Sequence, residues 1–554
     1  MSYLEFADGP WLTLLILSPL AGLLLLGLAA ALRLDERTTK IGATLWSLTT
    51  LGLAIFVRAD FDPGLVRDGQ GVVQFVERVP WVEAIRVEYF LGVDGISLPL
   101  VLLTALMTPV AMLASWNVRE RVYAHYALLF LLEAAMLGYF VALNFFFFFL
   151  FWEFSLVPAF FLIQNWGQNP ERRRPAALTF FVYTMAGSLG LLLLFQVFYV
   201  ATAAAGLPTF DLIILGRLGQ GLPVEGVTAN LQTILFDYLD LSGFTGLLGR
   251  FPLLYSSIAF WAIFVAFAIK LAVWPFHTWL PDAYSEAPTA GAILLSAVMS
   301  KMGAYGMLRI LLPLVPEAAQ YFAPVVGALA LVGIVAGAFG ALASVGGDAR
   351  RLIAYTSINH MGYVALAIAA AAAFGPGASA QSRTIALNGA MMQLVAHGLS
   401  TGALFLLVGA LAERTGTADL RRLGGLRSSM PTLAGAMGVA LFANLGLPGL
   451  AGFVGEFLIF RGAWAALPLF TLLATVGLVI TALALLQMYG RIFHGPADER
   501  LSRLPDLRIA SREFLAAGPL LVLLLALGLY PAPLLDISNQ AAAALAQVFE
   551  RLLA

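Results

Sequence analysis

WAIFVAFAIKLAVWPFHTWLP, residues 261–281, is an apolar stretch of membrane length with a lysine, Lys270, at its middle and Pro275 five positions further on. Pro275 lacks an amide proton and its ring collides with the preceding turn, so the helix is expected to kink or break just after Lys270 and free carbonyls there. A charged side chain at a helix centre costs roughly 2.5 to 3.5 kcal/mol on insertion scales, which makes any such residue a functional candidate.

The surrounding chain has the same character. Of its 554 residues 60% are hydrophobic and only 11% charged, 31 basic against 32 acidic, with a mean hydropathy of +0.89. An ordinary soluble domain carries about 25% charged residues, so this sequence reads as an all-α polytopic membrane protein. A net charge of −1 without basic blocks argues against a nucleic-acid partner. The absence of cysteine excludes disulfides, thiolate metal sites and cysteine-ligated iron–sulfur clusters, so redox chemistry belongs to another chain.

At about 20 apolar residues per span, about fourteen transmembrane helices are expected. They fall near 11–32, 40–57, 95–116, 122–142, 144–166, 175–201, 256–279, 286–314, 320–345, 350–374, 384–412, 430–461, 467–491 and 513–535. The first span has no basic region ahead of it and reads as retained rather than as a signal sequence. Arg residues concentrate in the loops after odd-numbered helices, which places those loops in the cytoplasm and both termini on the outer, periplasmic side of the cell's inner (plasma) membrane. Residues 202–255, with Asp211, Asp237 and Asp240, read as a long external connection with short helices, and Ser538 to Leu553 as an amphipathic surface helix. The organisation expected is 1–94 as helices 1 and 2 with an external segment, 95–314 and 315–495 as two repeat regions, and 496–554 as helix 14 with the surface helix.

Only three of the 31 basic residues are Lys: Lys40 in a polar loop, and Lys270 and Lys301 inside apolar runs. Lys can give up its proton when desolvated and Arg cannot, so the choice of Lys at membrane depth points to titration. The other buried ionisable candidates are Glu133, Glu153, His277, His360, His397 and Glu456. Arg309, near a helix end, is accounted for by snorkelling. Glu153 lies in FFFFFLFWEFSL, where a carboxylate needs a partner, and pairing with Lys270 at about 4 to 6 Å would supply roughly 3 to 4 kcal/mol at an effective dielectric of about 20. A second interrupted helix, ANLGLPGLAGFVGEF, carries Pro448, with Glu456 eight residues later. Two Pro- or Gly-interrupted helices in corresponding halves point to an inverted-repeat transporter. Lys301, His360, His397 and Glu456 form a series of titratable groups on successive helices, suited to a proton relay. No metal site is expected, because no two His share a helix at i, i+4 spacing. His277 reads as a mouth or gate beyond the first break, and Glu133 as a second accessory group facing the bundle or a neighbouring subunit.

The segments FLGVDGIS (90–97), FWEFSLVPAFFLI (151–163), FAIKLAVWPFHTWLPDAYSEAPTAGAILLSAVMSKMGAYGMLR (267–309), RRLIAYTSINHMGYV (350–364), AHGLSTGALFL (396–406) and GLPGLAGFVGEF (446–457) resemble the antiporter-like subunits of proton-pumping NADH:quinone oxidoreductase, respiratory complex I. Glu456, where the N-type chain has Lys, and the lack of the L-type chain's long lateral helix make the M-type chain the best match. The resemblance implies fourteen helices with two inverted five-helix repeats whose broken helices are the seventh and twelfth. It implies that Glu153 and Lys270 form the charge pair of the uptake half, that Lys301 is the central lysine, that His360 and His397 connect, and that Glu456 is the terminal group. It further implies no cofactor on this chain, with NADH, FMN, iron–sulfur clusters and quinone on partner subunits, and L-type and N-type antiporter-like chains as membrane neighbours. Two departures stand out: Thr179 occupies a place where relatives commonly carry Lys, and 202–255 is longer than usual. The D-type chain of a multi-subunit sodium/proton antiporter, or the membrane subunit of an ion-pumping hydrogenase, shares most of these motifs.

Overall fold

The structure is a computed structural model that describes residues 4–67, 70–224, 227, 229–238, 253–495, 501, 504–506 and 511–552. It is built almost entirely of helices: α1 Trp11–Ala31, α2 Glu36–Asp60, α3 Leu98–Ala114, α4 Val122–Val141, α5 Phe145–Phe154, α6 Leu156–Trp166, α7 Arg173–Ala204, α8 Leu212–Gly219, α9 Leu231–Tyr238 and α10 Leu253–Leu271. There follow α11 Trp279–Glu286, α12 Thr289–Leu314, α13 Pro316–Ala343, α14 Ala349–Ala372, α15 Ala380–Thr415, α16 Pro431–Asn444, α17 Ala451–Ala466, α18 Pro468–Phe493, α19 Arg512–Leu529 and α20 Ala532–Arg551. Among the described residues eleven helices are long and apolar enough to cross a membrane, α5 and α6 counting as one, and α3, α10 and α16 contribute shorter apolar helices.

Burial separates the inner helices from the rim. The apolar windows of α12 and α15 are wholly buried and that of α14 is 94% buried, whereas α19 buries only 22% of its window. A helix apolar all round and buried all round belongs at the centre of a bundle. Polar side chains on α12, α14 and α15 must therefore find partners inside the protein.

Both expected interruptions are visible as geometry. α10 stops at Leu271, Ala272 takes φ 61°, and the chain turns through Pro275 before α11 begins at Trp279. The indole N–H of Trp279 donates to the Ile269 carbonyl at 2.9 Å, so a carbonyl beside the break is taken up by a side chain from beyond it. α16 stops at Asn444, and Leu447 N–H bonds back to Phe442 O at 3.0 Å across Gly446 at φ 77°. That is a Schellman-type stop with its left-handed residue as glycine. α17 resumes three residues after Pro448.

The external segments differ from an all-helical reading. Val73–Val82 (β2) and Val87–Val93 (β3) pair antiparallel, and Leu4–Phe6 (β1) adds in parallel, giving the order β1-β2-β3; residues 66–67 and 70–71 form a further small ribbon. Glu77 on β2 reaches the start of α1, accepting from Leu12 N at 2.6 Å and Thr13 N at 3.1 Å, and so caps that helix from outside. Residues 202–238 do hold short helices, α8 and α9; Asp240 lies outside the described residues. The C-terminal amphipathic helix begins earlier than its hydrophobic pattern suggests, at Ala532. It buries Leu534, Ile537, Leu545, Val548 and Phe549 against its own chain, tied by Ser538 to Asn388 at 2.7 Å and by Glu550 to Arg383 at 3.1 Å.

Candidate functional site

The titratable side chains gather in two groups. In the first, Lys270 on α10 is 1% exposed, and its Nζ donates to Ser155 Oγ at 3.1 Å and lies 4.4 Å from the centre of the Trp152 ring. Ser155 sits at the junction of α5 and α6, so the irregularity between those helices presents a hydroxyl to the ammonium. Glu153, half-buried and with its Oε1 lacking a hydrogen-bond partner, makes no direct contact with Lys270, but the two opposite charges attract across the gap. The ammonium is instead satisfied by an oxygen and an indole face, both ways of stabilising a desolvated cation.

The second group is continuous over four helices. Lys301 on α12 is fully buried. Just ahead of it α12 widens into a π-turn at Leu295–Met299, where the Ser300 N–H bonds to Leu295 O and the Ser296 carbonyl accepts from Lys301 Nζ at 2.5 Å. Such bulges recur at functional positions because they turn backbone acceptors toward side chains. Lys301 Nζ also lies 2.6 Å from His397 Nδ1 on α15. With Nδ1 accepting, the His397 proton sits on Nε2, which has no partner, and the ring centre lies 5.3 Å from that of His360 on α14.

His360 is held at both nitrogens. Nε2 donates to Asn444 Oδ1 at 3.1 Å, and Asn444 Nδ2 in turn donates to Ser400 Oγ at 3.1 Å. Gln393 Nε2 donates to His360 Nδ1 at 3.1 Å, while Glu456 Oε1 stands 3.4 Å from the same nitrogen without a hydrogen-bond partner. Nδ1 thus has two alternative neighbours. The Gln393 amide serves it while neutral, and the Glu456 carboxylate would serve it once protonated. A side chain at Gly446 would run into Glu456 Oε2, and one at Gly455 would come within 2.9 Å of the Gln393 backbone, so the stop of α16 and the crossing of α15 with α17 set where the carboxylate sits.

Lys270 and Lys301 are not joined by a hydrogen bond among the described residues. Tyr139, Phe148, Trp152, Phe267 and Tyr305 pack between their helices as one aromatic cluster, and the Tyr139 hydroxyl donates to Met302 O at 2.7 Å. His277 is half-buried in the turn after α10 with Nδ1 unpartnered. Glu133 on α4 is fully buried and neither carboxylate oxygen has a partner. Among the described residues no hydrogen bond or ion pair is seen between either side chain and the two groups.

Sequence reasoning missed Trp152, Ser155, Ser296, Gln393, Ser400 and Asn444, the neutral side chains and carbonyls that receive the charges. Gln393 and Ser400 lie four before and three after His397, a same-face spacing that marks them as companions of the histidine.

Fold and site together define a class: a multi-pass helical membrane protein with two broken helices and a buried line of Lys, His and Glu. The chain belongs to the NADH:quinone oxidoreductase/Mrp antiporter transmembrane family, whose model matches residues 142–481, and the amino-terminal model of NADH-ubiquinone oxidoreductase chain 4 matches residues 79–144. It is 37% identical to the F(420)H(2) dehydrogenase subunit M of Methanosarcina mazei, over 95% of this chain and 96% of that one. It is likewise 37% identical to the NADH-quinone oxidoreductase subunit M of Pseudomonas aeruginosa, over 96% and 95%. A chain of Thermus thermophilus respiratory complex I with bound NADH superposes with a TM-score of 0.79 at 28% identity, covering 97% of this chain and 99% of that chain. The Mrp complex of Dietzia shares the fold, with a TM-score of 0.75 at 22% identity.

Proposed function

We propose that the chain is the M-type, proton-translocating membrane subunit of an NADH:quinone oxidoreductase, a translocase whose electron transfer takes place on other subunits. The observation that carries this reading is the buried line Lys301–His397–His360–Glu456, four titratable groups on four helices, with Gln393 and Asn444 hydrogen-bonded to His360. A proton on Lys301 can pass to His397 Nδ1 as His397 releases the proton on Nε2 toward His360. A proton gained at His360 Nδ1 displaces the Gln393 donor and engages Glu456, which becomes the terminal acceptor. Glu153 and Lys270 form the uptake group, and the aromatic cluster between the lysines separates the two halves so that a proton passes only when side chains or water rearrange.

The same reading counts α3, α10 with α11, and α16 with α17 as spans, giving fourteen, and pairs the two broken helices as counterparts in inverted five-helix repeats. The Arg-rich odd loops put both termini on the outer side of the plasma membrane. NADH, FMN, iron–sulfur clusters and quinone are assigned to partner subunits, and L-type and N-type chains to the neighbouring membrane positions. Relatives named for F(420)H(2) and for NADH match this chain equally well over nearly its whole length, at 37% identity each.

In inverted membrane vesicles energised with NADH, Glu153→Gln or Lys270→Ala should sharply reduce protons moved per electron. Unchanged stoichiometry in both would sink the proposal. Purification with only small membrane subunits and sodium-dependent growth would favour the antiporter reading, and nickel in the purified complex would favour a hydrogenase.

A further inference from the structure

A narrow apolar groove of about 220 Å³ runs between α3, α15 and α19 beside the first turns of α20, opening where α2 ends. Arg58 is the one charged residue in its lining; the others are Leu, Pro, Val and Ile. α2 begins beside an Arg-bearing loop, so its end, and the groove mouth with it, lie at the opposite face of the membrane. From Pro99 to Leu106 the groove follows α3 for seven residues, about 10 Å at the ordinary helical rise.

Side-chain size shapes the walls. At the seam of α3 and α15 a glycine lets the helices touch: a Cβ at Gly398 would come within 2.7 Å of the Leu103 side chain. Leu523 and Leu527, one turn apart on α19, form another wall, and Leu534 and Ile537 from the apolar face of α20 border the mouth. Val395 and Leu399 lie two residues either side of His397, so the groove runs along the back of α15, away from that histidine. A water needs about two to four polar partners to stay in a cavity, and these walls supply none beyond Arg58.

Arg58 is half-buried and makes no hydrogen bond or ion pair among the described residues. Its place in the last turn of α2 is favoured by the helix dipole, yet the five guanidinium N–H donors find no protein acceptor there. One leaflet of a bilayer has about 15 Å of hydrocarbon, so a groove about 10 Å long lodges about two-thirds of an acyl chain whose headgroup is level with Arg58. It is too narrow for a helix, which with its side chains is about 10 Å across. We propose that the groove holds one acyl chain of an anionic glycerophospholipid whose phosphate pairs with Arg58. Guanidinium and phosphate match as a two-pronged, charge-assisted pair, which selects the headgroup. The chain itself is held by van der Waals contact with the leucines, because a lipid tail gains nothing by leaving other tails unless it packs better. A lipid seated there backs α15 on the side away from His397 and fills a gap between helices that the protein's own side chains leave open. The inference holds whichever ion the chain moves.

The test uses the whole complex, reconstituted in vesicles of equal phosphatidylcholine and phosphatidylglycerol, with a photoreactive benzophenone side chain placed at Leu527. Leu525, on the opposite side of α19 and 49% exposed, is the control position. After illumination the lipid adducts are identified by mass spectrometry. Phosphatidylglycerol should be enriched several-fold in adducts at Leu527 over those at Leu525, and Arg58→Gln, which alters no helix packing, should abolish the enrichment. Leu106→Trp, which fills the deep end of the groove with an indole, should suppress the Leu527 adduct altogether. The same lipid mixture at both positions, an enrichment that survives Arg58→Gln, an adduct untouched by Leu106→Trp, or a crosslink from Leu527 to a neighbouring subunit in place of lipid would overturn the inference.

Discussion

Substitution at Gly446 tests the geometry of the terminal carboxylate without replacing a titratable group. Alanine there meets two obstacles: φ is 77°, and its Cβ would run into Glu456 Oε2. The left-handed backbone costs about 1 to 2 kcal/mol for a residue with a Cβ. The carboxylate must also swing away from His360 Nδ1, now at 3.4 Å. At an effective dielectric of about 20, a carboxylate and an imidazolium at that separation attract by about 5 kcal/mol, and a retreat of about 2 Å leaves about 3 kcal/mol. The lost 2 kcal/mol or so amounts to about a 20- to 30-fold bias against holding a proton at His360. Gly449 is the matched control, with φ 92° and nothing within 4 Å of a Cβ. Vesicles carrying Gly446→Ala should therefore pump far fewer protons per electron at near-normal assembly, while Gly449→Ala shows only a small loss of thermal stability. Equal pumping by the two variants would refute the reasoning.

Three further outcomes are expected. Gln393→Leu keeps the side-chain bulk but removes the donor to His360 Nδ1; assembly should survive, with a destabilisation of about 1 to 3 kcal/mol by thermal denaturation, while pumping falls. Lys301→Arg keeps the charge beside His397 but cannot release it, so the complex should assemble and transfer electrons with its proton stoichiometry reduced, as measured by dye quenching against NADH oxidation. In the external region, burial holds the Asp211 carboxyl up at about 6, partly offset by Arg78 at 3.1 Å and the N–H groups of Ile213 and Ile214. A raised carboxyl contributes stability at low pH that is lost as pH rises through about 6, so the thermal midpoint of the wild type should fall between pH 4.5 and 7 relative to that of Asp211→Asn, which keeps the helix cap and removes the titration.

The parts of this structure that were readable in sequence are those with local causes. Pro275 breaks a helix through its own ring and missing N–H, and Pro448 in the Leu447–Gly449 turn marks the second break, so both interruptions could be placed before any packing was known; the left-handed stop at Gly446 is visible only in the structure. Lys270, Lys301 and Glu456 stood out because charge is costly in an apolar run. The neutral partners carried no such signal: Gln393, Asn444, Ser155 and Trp152 are ordinary residues in membrane helices until a charge from another helix arrives beside them. Strands β2 and β3 escaped a reading based on long apolar windows because VQFVERVPWV and VEYFLGV alternate over too few residues to register as spans. The Glu153–Lys270 pairing was drawn from charge alone; the two groups attract without touching, while the Ser155 hydroxyl and Trp152 ring take the ammonium directly.

The central claim is that protons cross the membrane through this chain's own buried line. The most direct measurement is the number of protons moved per electron by the purified complex in sealed liposomes, compared between wild type and the Lys301→Ala variant at matched rates of electron transfer. The stoichiometry should drop in the variant by the share this subunit carries; an identical stoichiometry in an intact, fully assembled complex would contradict it.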